Sequence, residues 1–210
     1  MKKVTIIDYG MSNLLSISRA MEQVGAEVVL TEQPEIICEA DYLILPGVGT
    51  FPDGMRELNK RNIPEAIHTF LKTGKPFMGI CLGMQMMFES GEEIEKTNGL
   101  GIIPGEVVAL PPVQQNGEVN TIPHMCWSEV NYKRETKQTP FESIDNHSYM
   151  YFVHSFYVNP SREEDCFATS SFGDINFCSV VNHKNAWGMQ FHPEKSGETG
   201  LKILSGFLKL

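Results

Sequence analysis

The chain has 210 residues, enough for one well-buried domain and short for two, with 41% hydrophobic and 20% charged residues, an ordinary globular composition. A formal charge of −9, with lysines and arginines scattered beyond Lys2-Lys3, argues against a nucleic-acid footprint, which needs a basic face. No apolar run approaches the roughly 20 residues of a membrane-spanning helix, and Asp8 and Gly10 interrupt the N-terminal stretch too early for a signal peptide, so a cytoplasmic protein is expected.

In chain order, KKVTIID is a short apolar strand ending at Gly10, and NLLSISRAMEQVG places Leu14, Ile17, Met21 and Val24 at helical spacing before Gly25. AEVVLT and DYLILPG are the second and third strands. PEAIHTFLKTG reads as a helix with Pro64 in its first turn and Gly74 past its end. KPFMGI is the fourth strand, with LGMQMMFES a helix behind it. Continuous apolar strands separated by helices predict a parallel sheet covered on both faces. From about Gly99 to Phe191 the pattern turns to strands: GEVVAL, HMCWSEVNY, YMYFVHSFYV, CFATSSF, NFCSVVNH and AWGMQFH, the last two joined by a hairpin turn at His183-Lys184-Asn185. Pro111 to Asn120 reads as a loop and not a domain linker. SGETGLKILSGFLKL closes as a helix, with Ser196 its expected N-cap. The expectation is one α/β domain over residues 1–210 with a mixed, mostly parallel central sheet, helices on both faces and additional antiparallel strands.

The five cysteines (Cys38, Cys81, Cys126, Cys166, Cys178) are odd in number and widely spaced, with no CxxC; neither a disulfide framework nor a zinc knuckle is suggested. Cys81 stands apart. Gly79-Ile80-Cys81-Leu82-Gly83 has the form G-x-C-x-G at a strand-to-helix seam, the elbow arrangement that presents a nucleophile. Glycine permits the tight turn. A position at a helix start favours thiolate, and the Leu82 amide would face a developing oxyanion. A free cysteine is more often a small buried hydrophobe; the flanking glycines argue against that here.

A thiol nucleophile needs a base. His192-Pro193-Glu194 supplies H-x-E, and if the chain stays extended Glu194 shares a face with His192 and would hold its imidazole in one tautomer. Alone, this triplet also fits a surface pair; no third clustered ligand supports a metal. Pro46-Gly47-Val48-Gly49 permits a peptide flip toward an oxyanion, although by itself it reads as an ordinary strand-to-loop turn.

The joint pattern PGVG, GICLGMQ and HPEKS resembles the class I (triad-type) glutamine amidotransferases. More narrowly, IDYGMSNLLS, LPGVGTFPDGM, GICLGMQMMFES, IPHMCW, YFVHSFYV and GMQFHPEKSGETGLKIL are similar to the glutaminase subunits of imidazole glycerol phosphate synthases, across essentially the whole chain. The resemblance implies that Cys81 attacks the side-chain amide of L-glutamine, that His192 is base and then acid, and that Glu194 orients it. It implies an oxyanion hole from Leu82 and, after a flip, Gly47-Val48. Gln85 and Glu93 would hold glutamine, and Ser155 and Phe156 its amino-acid head. Asn13, Trp127, Tyr151 and Lys195 would face the synthase partner, a (β/α)₈ barrel in a heterodimer that makes imidazole glycerol phosphate and AICAR; by themselves Trp127 and Tyr151 also fit core aromatics, and Lys195 a solvated lysine. No cofactor and no metal is implied.

One stretch departs from the family pattern. PHMGWN is usual, whereas here Pro123-His124-Met125-Cys126-Trp127-Ser128 carries Cys for Gly and Ser for Asn near the implied interface. This opens a second expectation for the partner, a sugar amidotransferase of surface-polysaccharide synthesis. Two other classes compete: a flavodoxin-like cysteine hydrolase or chaperone, disfavoured by HPE and Gln85, and a regulatory module with a degenerate site, disfavoured by the filled triad positions.

Overall fold

A computed structural model describes all of residues 1–210. It contains thirteen strands and six α-helices: β1 Lys2–Ile7, α1 Leu14–Gln23, β2 Ala26–Thr31, α2 Pro34–Glu39, β3 Tyr42–Gly47, α3 Phe51–Lys60, α4 Ile63–Leu71, β4 Phe77–Cys81, α5 Leu82–Gln85, β5 Phe88–Gly91 and β6 Thr97–Asn98, followed by β7 Ile103–Ala109, β8 His124–Tyr132, β9 Ser148–His154, β10 Phe156–Pro160, β11 Cys166–Phe172, β12 Ile175–His183, β13 Ala186–Met189 and α6 Gly197–Phe207. No helix is long and apolar enough to cross a membrane.

All strands join one sheet, ordered β2-β1-β3-β4-β13-β12-β10-β7-β5-β6, with β11, β8 and β9 branching from β12. The ladders from β2 through β13 are all parallel, as the apolar runs predict. Beyond β13 most ladders are antiparallel, β5 with β7 excepted. The sheet separates two cores. One joins Ile17 and Met21 of α1 to Ile203, Leu204 and Phe207 of α6. The other joins Leu58 of α3 to Ile63, Ile67 and Phe70 of α4. β3, β4 and β13 lie side by side in the middle, and their carboxyl ends open together, where open α/β sheets place their ligands.

Five readings are corrected. Two helices, α2 and α3, lie where none was read. The legible signal in α3 is Thr50, which accepts from the Asp53 N–H at 3.4 Å, ahead of Phe51, Met55 and Leu58 buried at helical spacing. LGMQMMFES is not one helix: α5 closes after a single turn, and Phe88 begins β5, which pairs with β7. Met84, Met86, Met87 and Phe88 are fully buried, so the run is apolar on every side and periodicity cannot separate helix from strand. YMYFVHSFYV is two strands broken at Ser155, and AWGMQFH stops pairing as a strand at Met189. Ser196 holds the N-cap position of α6 as expected, but its side chain makes no capping bond; its Oγ donates to the His192 carbonyl at 2.7 Å and accepts from the Tyr151 N–H at 3.0 Å.

Candidate active site

Cys81 is the last residue of β4 and sits at φ 54°, ψ −113°, a positive-φ conformation unusual for a residue with a Cβ. The turn is held open by its glycines. A Cβ on Gly79 would lie 2.7 Å from Met87 Sδ and 2.8 Å from the Gly83 carbonyl, and one on Gly83 would overlap the Leu45 carbonyl. The backbone therefore turns sharply against β3, lifting Cys81 from the sheet edge while leaving it buried.

His192 arrives from the neighbouring strand. Past Met189 the chain bends at Gln190 and Phe191 and is extended again at His192, whose N–H donates to the Tyr151 carbonyl at 3.0 Å. Glu194 is not on the strand: Pro193–Lys195 form a 3₁₀ turn, and this turn, not the alternation of an extended strand, brings its carboxylate to His192. The contact survives, His192 Nδ1 lying 2.7 Å from Glu194 Oε1 with both side chains about 5% exposed or less. Burial, the largest single effect, pulls the His192 pKa down; Cys81 and then Glu194 outweigh it, and the imidazole is raised to about 10. Nε2, away from Glu194, has no hydrogen bond of ordinary geometry. Cys81 is its electrostatic neighbour, and such contacts commonly tighten only when substrate arrives.

These residues open on a cavity of about 290 Å³ lined by Cys81, His192, Gln85, Glu93, Ser155 and Phe156, together with Val48, Gly49, Leu82, Pro123, Val153 and His154. The volume suits a small ligand. Both hydrogens of the Gln85 amide are committed, to the Phe156 carbonyl at 2.9 Å and Gln190 Oε1 at 3.1 Å, which leaves Gln85 Oε1 for a ligand. Glu93 Oε2 accepts from the Phe51 N–H at 2.7 Å, and burial pushes its carboxyl pKa up. The Val48 N–H points elsewhere than the thiol, donating to the Met11 carbonyl at 2.9 Å. Gly47 pairs in register with Cys81 and lies against the Tyr9 hydroxyl and Leu82.

The remaining expected positions do not join the cavity. Asn13 caps α1, accepting from the Ser16 N–H at 3.4 Å, and its residue is exposed. Trp127 and Tyr151 are cross-strand neighbours with ring centroids 6.1 Å apart; Trp127 is 51% exposed, so it is no core aromatic. Lys195 is exposed at the end of the 3₁₀ turn. Two residues went unread. Gln190 is fully buried and aims Nε2 at Cys81 Sγ, 3.8 Å away. His154 lines the cavity wall and donates to the Phe156 carbonyl. The available signal for Gln190 was an amide enclosed by an apolar run two residues before His192.

A strained thiol elbow, a buried imidazole–carboxylate pair and a sheet of this topology define a class of enzyme. The chain belongs to the class-I glutamine amidotransferases, whose family model matches residues 5–210. Within that class it is 44% identical over 213 residues to the imidazole glycerol phosphate synthase subunit HisH 1 of Legionella pneumophila strain Lens, covering 100% of both chains. It is 46% identical to the HisH subunit of Caldanaerobacter subterraneus subsp. tengcongensis, over 97% of this chain and 96% of that one. The fold also matches the solved structure of PurLQS from Thermotoga maritima, with a TM-score of 0.76, 20% identity and coverage of 99% and 98%.

Proposed function

We propose that this chain is the glutaminase subunit of an imidazole glycerol phosphate synthase, acting as a single domain in the cytoplasm and delivering ammonia to a synthase subunit. The observation that carries the reading is Cys81 and His192 in one cavity with Gln85 and Glu93, with Glu194 paired to His192 behind its wall. Cys81 sulfur adds to the side-chain carbonyl carbon of glutamine with its proton held on His192, whose imidazole Cys81 and Glu194 keep charged. The negative charge develops on the carbonyl oxygen, where the Leu82 amide would meet it. His192 returns the proton to the departing nitrogen, releasing ammonia and leaving a γ-glutamyl thioester. Water, deprotonated by His192, then cleaves the thioester to glutamate and regenerates the thiol. Glu194 keeps Nδ1 protonated and steadies the imidazolium. Glu93, Gln85 Oε1 and the backbone at Ser155 and Phe156 offer polar partners for glutamine.

The Val48 amide, tied to Met11, is a second oxyanion donor held out of use. We propose that the synthase partner, a (β/α)₈ barrel in a heterodimer, releases it on docking against the face carrying Asn13, Trp127, Tyr151 and Lys195. The relatives' names favour an imidazole glycerol phosphate synthase partner subunit over a sugar amidotransferase. Replacing Cys81 with Ala tests the reading: glutamine hydrolysis should fall to background while the complex still makes product from added ammonia. Retained hydrolysis by Cys81→Ala would overturn it.

A further inference from the structure

Behind the glutamine pocket, His124 and His154 form a pair that the proposed chemistry leaves unused. They face each other across the β8–β9 ladder, 4% and 6% exposed, within an aromatic cage. The His124 ring stacks on Phe152 at 5.2 Å between centroids and also meets Phe172 and Phe177.

Their hydrogen bonds have one consistent direction. The Phe156 carbonyl can only accept, so His154 Nδ1, 2.9 Å away, carries a proton. Burial keeps both imidazoles neutral, lowering His124 and pushing His154 down to about 3. His154 Nε2 is therefore the acceptor and His124 Nδ1, at 3.0 Å, the donor. His124 Nε2 is then an acceptor in turn, and Ser128 Oγ donates to it at 3.0 Å. Ser128 also lies 3.3 Å from the exposed Cys126 sulfur. The two departures from the family motif thus stand together at the outer end of this line. Its inner end is the Phe156 carbonyl, which also receives the Gln85 amide.

We propose that His124 and His154 are positioning residues for glutamine: both held in the Nδ1–H tautomer by a line from Ser128 to the Phe156 carbonyl, they fix the Ser155–Phe156 wall of the pocket and, through it, Gln85. A proton at Nδ1 on both rings is specific, because a free imidazole prefers the Nε2–H form. The inference rests on the glutaminase reading but makes a separate demand. A pair that only fills the core has no reason to act on substrate affinity.

The experiment combines one spectrum with two variants. In protein carrying ¹⁵N-labelled histidine, the ring nitrogens of residues 124 and 154 should both report the neutral Nδ1–H tautomer; an Nε2–H form or an imidazolium at either ring near neutral pH overturns the proposal. His154→Leu removes the donor to Phe156 and should raise KM for glutamine about tenfold with kcat within about twofold, the size expected for one lost hydrogen bond in ground-state binding. His154→Asn places an amide N–H near the position of Nδ1 and should restore KM to within about threefold of wild type. A folded His154→Leu protein with unchanged KM, or an Asn variant no better than Leu, also overturns it. Wild-type protein without glutaminase activity, alone or with the synthase subunit, would sink the functional reading and this proposal together; active wild type with an indifferent His154 sinks only the proposal.

Discussion

At residue 81 the backbone holds a cysteine at φ 54°, and a non-glycine residue pays for that conformation only where the surroundings impose it. The same economy holds at His192 and Glu194, two ionisable side chains kept almost out of water and facing each other. Removing the charge while keeping the shape separates orientation from electrostatics. Glu194→Gln should lower kcat by about 10²- to 10⁴-fold with little change in KM, the scale set by losing the carboxylate of a triad; assays of glutamate release would show it, and a loss under about tenfold would contradict the role. The pair also leaves a mark on stability. His192 titrates higher in the folded state, about 10, than its ordinary 6.5, so its contribution is complete below about pH 6.5 and is lost as pH rises through 10. Thermal melts should therefore show Tm declining between about pH 7 and 10, with a shallower decline in Glu194→Gln. Cys81, His192 and Glu194 were legible because their types and local spacing state their chemistry. Gln190 and His154 were not: each is a lone polar residue in a strand-like run, and only the fold shows that they meet Cys81 and Phe156.

Among the elements, the elbow between β4 and α5 decides whether there is a site. α5 is one turn long, so the turn is held less by its helix than by contact with β3, where Gly83 lies against the Leu45 carbonyl. Gly83→Ala cannot be absorbed by a side-chain rotation, since the clash is with backbone; the fold should lose about 1–3 kcal/mol or more, and hydrolysis should fall even where the variant remains folded at low temperature. Denaturant titration and activity together check this, and a variant with wild-type stability would refute the packing account. Most strands were readable to within a residue or two because their apolar runs are bounded by glycine and proline. β5 was lost inside a run buried on all sides. α3 was lost although Thr50 and its buried stripe announce it. The strand-to-turn change at Met189 was hidden because Gln190-Phe191-His192 continues a strand-like run with no glycine or proline before Pro193.

Over the whole molecule, three adjacent strands carry the site between two separate cores: β3 brings Gly47, β4 brings Cys81 and β13 leads to His192. No short segment contains this convergence; residues 47, 81 and 192 meet only because the parallel ladders stack β3, β4 and β13 in that order. The fold class was legible from the alternation of strands and helices, whereas the branch of β11, β8 and β9, which closes the pocket wall, needed long-range pairing that local pattern does not encode. The arrangement makes a selective claim about reactivity. Cys126 is exposed and Cys81 is buried, so a general electrophile should meet Cys126 first. A glutamine-mimicking diazo ketone, 6-diazo-5-oxonorleucine, should instead alkylate Cys81 alone, once per chain, with glutamine protecting it and Cys81→Ala abolishing it. Intact-mass and peptide analysis of the treated protein is the most direct test: a single adduct on Cys81 is predicted, and no adduct, or one on Cys126 with Cys81 untouched, would contradict the account.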